Sequence, residues 1–207
     1  LFRSRQYTFA LLVLTSHYLA HGPVILVAPF FLVDELGFSP LKMGLFLAAF
    51  YIGRTFFAPA AGSLSDRFGP RPFLMAGNAV LAASLVWMGL LAGSGSETLL
   101  LVAMVGAGVG SGLYEPVVTS AIMGSVPVAR LGTASASVAM GRHIAFSVGA
   151  ATAGAVFAIR ERVYAADAAT VNEVGRAFSD TLYAASLMAT FAVVFAMATR
   201  RTTDVPA

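Results

Sequence analysis

Residues 62–72 read Gly62-Ser63-Leu64-Ser65-Asp66-Arg67-Phe68-Gly69-Pro70-Arg71-Pro72, a short polar stretch between two long apolar runs. Its glycines and prolines are typical of a turn. The runs on either side are each long enough to cross about 30 Å of bilayer hydrocarbon as a helix, which takes roughly 20 apolar residues. The stretch therefore predicts a loop with a tight turn between two membrane-spanning helices.

The composition of the chain agrees with a membrane location. Of the 207 residues 58% are hydrophobic and only 11% charged, whereas about a quarter of the residues in soluble domains are charged. The absence of cysteine excludes disulfide frameworks, thiolate metal sites and cysteine nucleophiles. The 13 Lys and Arg exceed the 10 Asp and Glu by only three. This small surplus does not indicate a nucleic-acid-binding protein.

Six apolar runs of this kind are bounded by charged residues or by Pro and Gly turns. Exposed strand edges and irregular backbone do not survive in lipid, so each run is interpreted as a helix. The first run is too long for a signal peptide, and five more follow it. The whole chain, residues 1–207, is thus predicted to be a single all-α membrane domain with transmembrane helices at about 7–33, 41–61, 72–92, 98–124, 131–159 and 180–199.

Basic residues in the loops predict the orientation. The side that holds both termini carries seven of them, and the opposite side, with the long 160–179 connection, carries four. Because cytoplasmic loops are richer in Lys and Arg, both termini are predicted to be cytoplasmic. The seven are Arg3, Arg5, Arg67, Arg71, Arg130, Arg200 and Arg201, and the four are Lys42, Arg160, Arg162 and Arg176.

Small residues recur along helices four and five. Glycines alternate over 106–112, and Gly141, Ala145, Gly149 and Ala153 follow at four-residue spacing. The first series imitates a phosphate-binding loop, but it follows no strand and lies inside an apolar run. Small residues at such spacing let membrane helices approach closely, so we interpret both series as packing surfaces.

Three charged residues remain inside the predicted spans: Arg54, Glu115 and Arg142. Such groups are costly in lipid and usually face a polar cavity or a partner. By helix rise Arg142 lies near the midplane and Glu115 in the cytoplasmic half, whereas Arg54 is expected within two turns of a helix end, from which it can snorkel to the interface. Glu115, the one acid, suits a proton carrier; the alternative is a structural ion pair with Arg142 or Arg54.

Two histidines one turn apart, His17 and His21, share a face of helix one. No Cys, Asp or Glu stands at ligand spacing, so we predict cavity-lining or interfacial histidines and no metal site. Helices three and six carry no ionisable group within the membrane, and Asn78 is their one strongly polar side chain. We therefore expect helices one, two, four and five to line a cavity, with three and six outside.

The stretch at 62–72 resembles the signature between the second and third helices of a six-helix repeat in the major facilitator superfamily. The resemblance covers nearly the whole chain, through Leu36-Gly37-Phe38-Ser39-Pro40, Ser125-Val126-Pro127, Arg130-Leu131-Gly132-Thr133-Ala134-Ser135 and the Arg142-containing helix five. These segments are similar to the C-terminal half of fourteen-helix drug:proton antiporters. The resemblance implies a gate motif at the cytoplasmic surface, formed by Gly62, Asp66, Arg67, Gly69 and Arg71, whose charges can latch one gate conformation.

The chain departs from the antiporter pattern in two places. Helix four lacks the arginine, and helix five the Gly-Pro motif, expected of the N-terminal repeat. Both absences favour the second half. The resemblance then implies a proton-coupled exporter of small organic compounds, working by alternating access in a bacterial inner membrane, without a cofactor. The other six-helix half is its partner, and a first residue Leu1 rather than Met is what we expect of an excised piece.

Alternative functions of the chain remain open. The chain is alternatively a freestanding half-size transporter that pairs with itself, or a channel-like membrane subunit. An intramembrane serine protease also has six spans, and Ser111 lies within Gly110-Ser111-Gly112. Helix six has no histidine to act as a base, and His17, His21 and His143 stand in unsuitable contexts, so this is the weakest hypothesis.

Overall fold

The computed structural model describes residues 5–93, 96–166 and 172–199, and these are helical apart from short turns. All six long helices have the length and apolarity needed to cross a membrane, which confirms the predicted fold class. A π-helical turn, Phe31–Glu35, extends the first helix, and a 3-10 turn, Val128–Arg130, precedes the fifth. The helices are α1 Arg5–Phe30, α2 Pro40–Phe68, α3 Pro70–Leu91, α4 Glu97–Met123, α5 Leu131–Ala165 and α6 Glu173–Met197.

The membrane orientation stays a prediction. Three of the basic residues that support it, Arg3, Arg200 and Arg201, lie outside the described residues. We therefore name the two ends of the bundle by structure alone. The end that carries the α2–α3 turn is called the gate end, and the opposite end the far end.

The predicted loop at 62–72 is wrong in extent, because α2 continues to Phe68 and α3 begins at Pro70. Gly69 alone joins the two helices, with φ of 81°, a backbone conformation that glycine adopts without strain. Pro70 opens α3 at the first helical position, where its missing N–H costs no hydrogen bond. The tight turn is therefore real, but Gly62, Asp66 and Arg67 lie on the last turns of α2 rather than in a loop.

The connection predicted at 160–179 is also largely helical. The α5 helix runs on to Ala165, and α6 begins at Glu173. Two contacts hold these extensions together: Arg160 Nε lies 3.0 Å from Asp180 Oδ2, and the Tyr164 hydroxyl donates to the same oxygen at 2.6 Å. Hydropathy identifies only the part of a helix that crosses lipid. The prediction from hydropathy therefore omitted the polar ends of α5 and α6, which these side chains stabilise.

The α1 and α4 helices form the centre of the bundle. The α2 and α3 helices pack on α4, α5 and α6 pack on α1, and α3 packs on α6. Exchanging the first three helices with the last three reproduces this pattern, as in transporters built from internal repeats.

The least buried helices are α2 and α5, which carry exposed apolar side chains such as Phe56 and Met140. Lipid or a second polypeptide therefore covers these faces.

Glycines allow the central helices to approach their neighbours. A Cβ added at Gly108 or Gly112 of α4 would collide with the backbone of Phe50 or Arg54 in α2. On the other side of the bundle, Gly149 of α5 faces the backbone of Leu19 in α1 in the same way. Both glycine series therefore act in helix packing.

We predict that Gly108→Ala destabilises the protein by about 1–3 kcal/mol, because the added methyl overpacks a backbone contact. The measurement is thermal unfolding of the purified protein in detergent. Gly44→Ala is the matched control, since Gly44 lies in α2 with open space around its Cβ position. This control is expected to be stabilising by about 0.5–1 kcal/mol through helix propensity. Equal stability of the two variants would contradict the packing role.

Candidate functional site

The Glu115 carboxylate of α4 lies at the meeting point of four helices. Arg54 of α2 forms an ion pair with Oε2. Arg142 of α5 places Nη1 3.3 Å from Oε1, and the Tyr18 hydroxyl of α1 donates to Oε1 at 2.8 Å. We call Arg54, Glu115 and Arg142 the charge triad. It carries a net charge of +1 when Glu115 is ionised.

The carboxylate is the most shielded member of the triad. The Glu115 side chain is 16% exposed, against 32% for Arg54 and 35% for Arg142. Arg142 also lies over the Tyr18 ring, with its guanidinium carbon 5.4 Å from the centroid, a cation–π contact. Its Nε is buried and has no hydrogen-bond partner within the described part of the chain. The arginines therefore keep donor capacity beyond the bonds they give to Glu115.

An open cleft of about 520 Å³ lies beside the triad, between α2 and α4. Both helices present a proline to it. Pro116 follows Glu115 directly and lacks the N–H that would bond the Gly112 carbonyl, so the helical ladder is interrupted one turn before the acid. The cleft is lined by Arg54, Thr55, Ala58, Pro59, Glu115, Pro116 and Thr119.

The structure brings together all three charged residues that the sequence placed inside the spans. Arg54, however, does not snorkel from a helix end. Because α2 is longer than predicted, Arg54 stands at its middle, about 21 Å from either end by helix rise. The pairing predicted as Glu115 with Arg142 or Arg54 involves both arginines.

His17 takes part in a second buried network of hydrogen bonds. Its Nδ1 lies 2.9 Å from Asn78 Oδ1 on α3, and its Nε2 lies 3.4 Å from Ser111 Oγ on α4. Its ring stacks on Tyr114, with centroids 3.8 Å apart. Asn78 and His17 therefore bring α3 into the polar interior, although we expected α3 to stand outside it.

Ser111, His17 and Asn78 are arranged like a serine hydrolase triad with Asn in place of Asp, and His17, whose context the sequence analysis judged unsuitable, does lie beside Ser111. Ser111 and His17 are each only 2% exposed. A substrate carbonyl therefore cannot reach the hydroxyl, and the histidine ring is fixed by stacking on Tyr114. The three side chains hold α1, α3 and α4 together.

His21 lies one turn further along α1, in aromatic surroundings. Its ring centroid is 4.9 Å from that of Phe50 and 6.2 Å from that of Phe146. Nδ1 is buried without a hydrogen-bond partner among the described residues. Within those same ranges, no group of three His, Cys, Asp or Glu is placed to hold a metal ion. His21 is thus a buried histidine rather than a member of the open cleft.

The predicted gate motif lies at the gate end of the bundle, away from the charge triad. Asp66 and Arg67 are exposed on the last turn of α2, and Arg71 is half-buried in the first turn of α3. In the part of the chain that the structure describes, none of the three forms an ion pair. Their role as a gate latch stays a prediction.

Tyr18 is the site residue that sequence reasoning missed. A single tyrosine in an apolar run carries no clear signal, because tyrosine is common in membrane helices. Its position beside His17 was the one clue. Asn78 was noticed as the lone polar group of α3, but its partner on α1 was not predictable without the helix arrangement.

Comparison with known proteins gives consistent matches. The sequence profile of the Major Facilitator Superfamily matches residues 10–202. The chain is 30% identical over 158 residues to the riboflavin transporter RibZ of Clostridioides difficile, covering 76% of this chain and 35% of that protein. It is 29% identical over 158 residues to the multidrug resistance protein Stp of Mycobacterium tuberculosis, covering 76% and 29%. A putative multidrug resistance protein MdtD of Yersinia pestis is 26% identical over 154 residues, covering 74% and 33%.

These matches identify the protein family of the chain. The chain spans about a third of the length of the relatives it matches. Those relatives are bacterial transport and resistance proteins rather than enzymes, which agrees with six apolar helices and a cell-membrane location. With the profile matched over most of its length, this chain is a multi-pass integral membrane protein that belongs to the Major Facilitator Superfamily of transporters.

Proposed function

We propose that this chain is the C-terminal six-helix half of a secondary active transporter that exports small organic compounds by alternating access, coupled to protons at Glu115. The observation that carries the proposal is the convergence of Arg54, Arg142 and Tyr18 on one shielded carboxylate. Relatives named as multidrug resistance proteins support the efflux direction.

Protonation of Glu115 supplies a mechanism for coupling. An ionised carboxylate attracts both guanidiniums and so ties α4 to α2 and α5. A proton on Glu115 removes that attraction and leaves two positive charges facing each other across a neutral acid. Two helix arrangements with different proton affinities are what an alternating-access transporter requires. Substrate would be held in the paired arrangement, and the proton would drive the return.

The proposal also requires a second half. The cleft beside the triad is open on one side, and the apolar faces of α2 and α5 are uncovered. A second six-helix bundle would close the cleft into a path between two halves. The chain's share of its relatives' length supports a half joined to further helices. Mass measurement in detergent tests this, because a stable dimer of this chain alone would instead indicate a half-size transporter or channel-like subunit.

A second candidate function is cotransport of protons with an organic anion. The observation that favours it is the net positive charge of the triad, whose arginines are partly exposed. An anion bound to the arginines would favour protonation of Glu115, and a proton on Glu115 would strengthen anion binding equally. Proton and substrate would then move in the same direction, opposite to the coupling of an exporter.

We predict that Glu115→Gln abolishes transport driven by a pH gradient in proteoliposomes of the full transporter, because the amide keeps the size but cannot titrate. Exchange of labelled for unlabelled substrate, which needs no net proton movement, should persist. Glu97→Gln is the matched control, since Glu97 lies on the same helix but pairs with exposed Lys42 at 2.6 Å at the far end. Unchanged gradient-driven transport in Glu115→Gln would show that the proton acts elsewhere.

The two candidate functions differ in their response to Arg142→Gln, which neutralises the triad. For an anionic substrate we expect affinity to fall at least about tenfold, since a hydrogen bond to a charged group contributes about 1.5–3 kcal/mol. For an uncharged or cationic substrate, affinity should stay constant or rise. Arg160→Gln on the same helix is the control, because Arg160 pairs with Asp180 at the far end. Binding of substrates of each charge to the purified transporter decides between the two.

A further inference from the structure

We propose that Asn78 on α3 is a positioning residue for the proton site: acting through His17, it holds Tyr18 in the orientation that donates to Glu115. The inference rests on the proposed role of Glu115. Asn78 does not touch the carboxylate, and α3 carries no charged side chain beyond Arg71 in its first turn. Its side-chain hydrogen bond to His17 links it to α1, the helix that carries Tyr18.

The hydrogen bonds fix the Asn78 amide and the His17 ring in one arrangement. Asn78 Nδ2 donates to the Leu74 carbonyl at 2.7 Å, so Oδ1 must be the atom that faces His17. Because Oδ1 is only an acceptor, His17 Nδ1 carries the proton and donates to it at 2.9 Å. Nε2 is then the unprotonated nitrogen, and it accepts from the Ser111 hydroxyl at 3.4 Å. Asn78 therefore selects the tautomer as well as the ring orientation.

The fixed ring leads directly to the proton site. One face of His17 stacks on Tyr114, which precedes Glu115 in α4. Tyr18 meets the same ring edge to face, with centroids 5.6 Å apart and planes 77° apart. Tyr18 is 9% exposed, so it has little room to turn elsewhere while His17 stays in place. A change at His17 therefore alters the position of the Tyr18 hydroxyl.

Tyr18 affects the proton site because its hydroxyl donates to the ionised form of Glu115. Loss of that bond removes one donor from the carboxylate, so we expect the pH dependence of transport to move toward higher pH. The charged groups that contact Glu115 are Arg54 from α2 and Arg142 from α5. Tyr114, the buried neighbour that precedes it in α4, is a further titratable group, and His17 and His21 lie on the same helix as Tyr18. Of these side chains, His17 is the one that loses a hydrogen bond when Asn78 is replaced.

The test compares pH profiles of transport by the full transporter in proteoliposomes. Tyr18→Phe is expected to raise the pH of half-maximal transport by about one to two units, the contribution of one hydrogen bond to a charged group. Asn78→Leu should raise it in the same direction, by no more than that amount. Asn78→Leu added to Tyr18→Phe should cause no further shift, because Asn78 acts through Tyr18.

Two further variants separate positioning from loss of packing. Ser84→Ala removes a buried polar group of α3 that faces Gly106 of α4 and has no link to His17, and it should leave the profile unchanged. If Asn78→Leu fails to accumulate, Asn78→Ala removes the same oxygen without added bulk. The proposal is overturned if the Asn78 variants leave the profile unchanged while Tyr18→Phe moves it, or if their shift is the same with and without Tyr18.

A spectroscopic measurement keeps this inference distinct from the proposed function. In the transporter labelled with 3-fluorotyrosine, the Tyr18 fluorine signal is identified by its loss in Tyr18→Phe. Asn78→Leu is expected to move that signal, whereas Ser84→Ala is not. A Tyr18 signal that responds to Asn78 but does not titrate with pH would overturn the proton role of Glu115 alone. A signal that titrates but ignores Asn78 would overturn the positioning role alone.

Discussion

The Glu115 carboxylate is the one acceptor on which the polar interior of this bundle depends. It receives a guanidinium from α2, a second from α5 and a hydroxyl from α1. Four helices are thus joined through two oxygen atoms, in surroundings where an unpaired charge would be costly. In the proposed mechanism a single proton on Glu115 would alter all of these contacts together and so link protonation to the arrangement of the helices.

Close helix packing is what makes the triad possible. Gly112 lies about one turn before Glu115, and the added Cβ of any other residue there would collide with the Arg54 backbone. The glycine therefore lets α2 approach α4 closely enough for the Arg54 side chain to meet the carboxylate. Small residues and charged residues therefore depend on each other. The small residues set the distance between the backbones, and that distance lets the charged side chains form their ion pairs.

The sequence was sufficient for the fold class and for the set of buried charges. Six apolar runs predicted six helices, and Arg54, Glu115 and Arg142 stood out because charge is rare in such runs. Helix ends were less predictable, since α2 continues through Asp66 and Arg67, where hydropathy indicates a loop. That error misplaced Arg54 near a helix end.

Contacts between distant segments were the harder part of the site. The hydrogen bond from His17 to Asn78 joins α1 to α3, and nothing in the spacing of either helix indicates which residues will face each other. Tyr18 was missed for the same reason. Local periodicity predicts which face of a helix is polar, but the rotation of one helix against another is set by packing over the whole bundle.

The central claim is that Glu115 changes protonation within the working range of the transporter. Infrared difference spectroscopy of the reconstituted full transporter, recorded between high and low pH, measures this directly. We expect the protonated-carboxyl band that grows at low pH to lose one component in Glu115→Gln, and Glu97→Gln to retain that component. A band of equal intensity in Glu115→Gln and the wild type would contradict the claim.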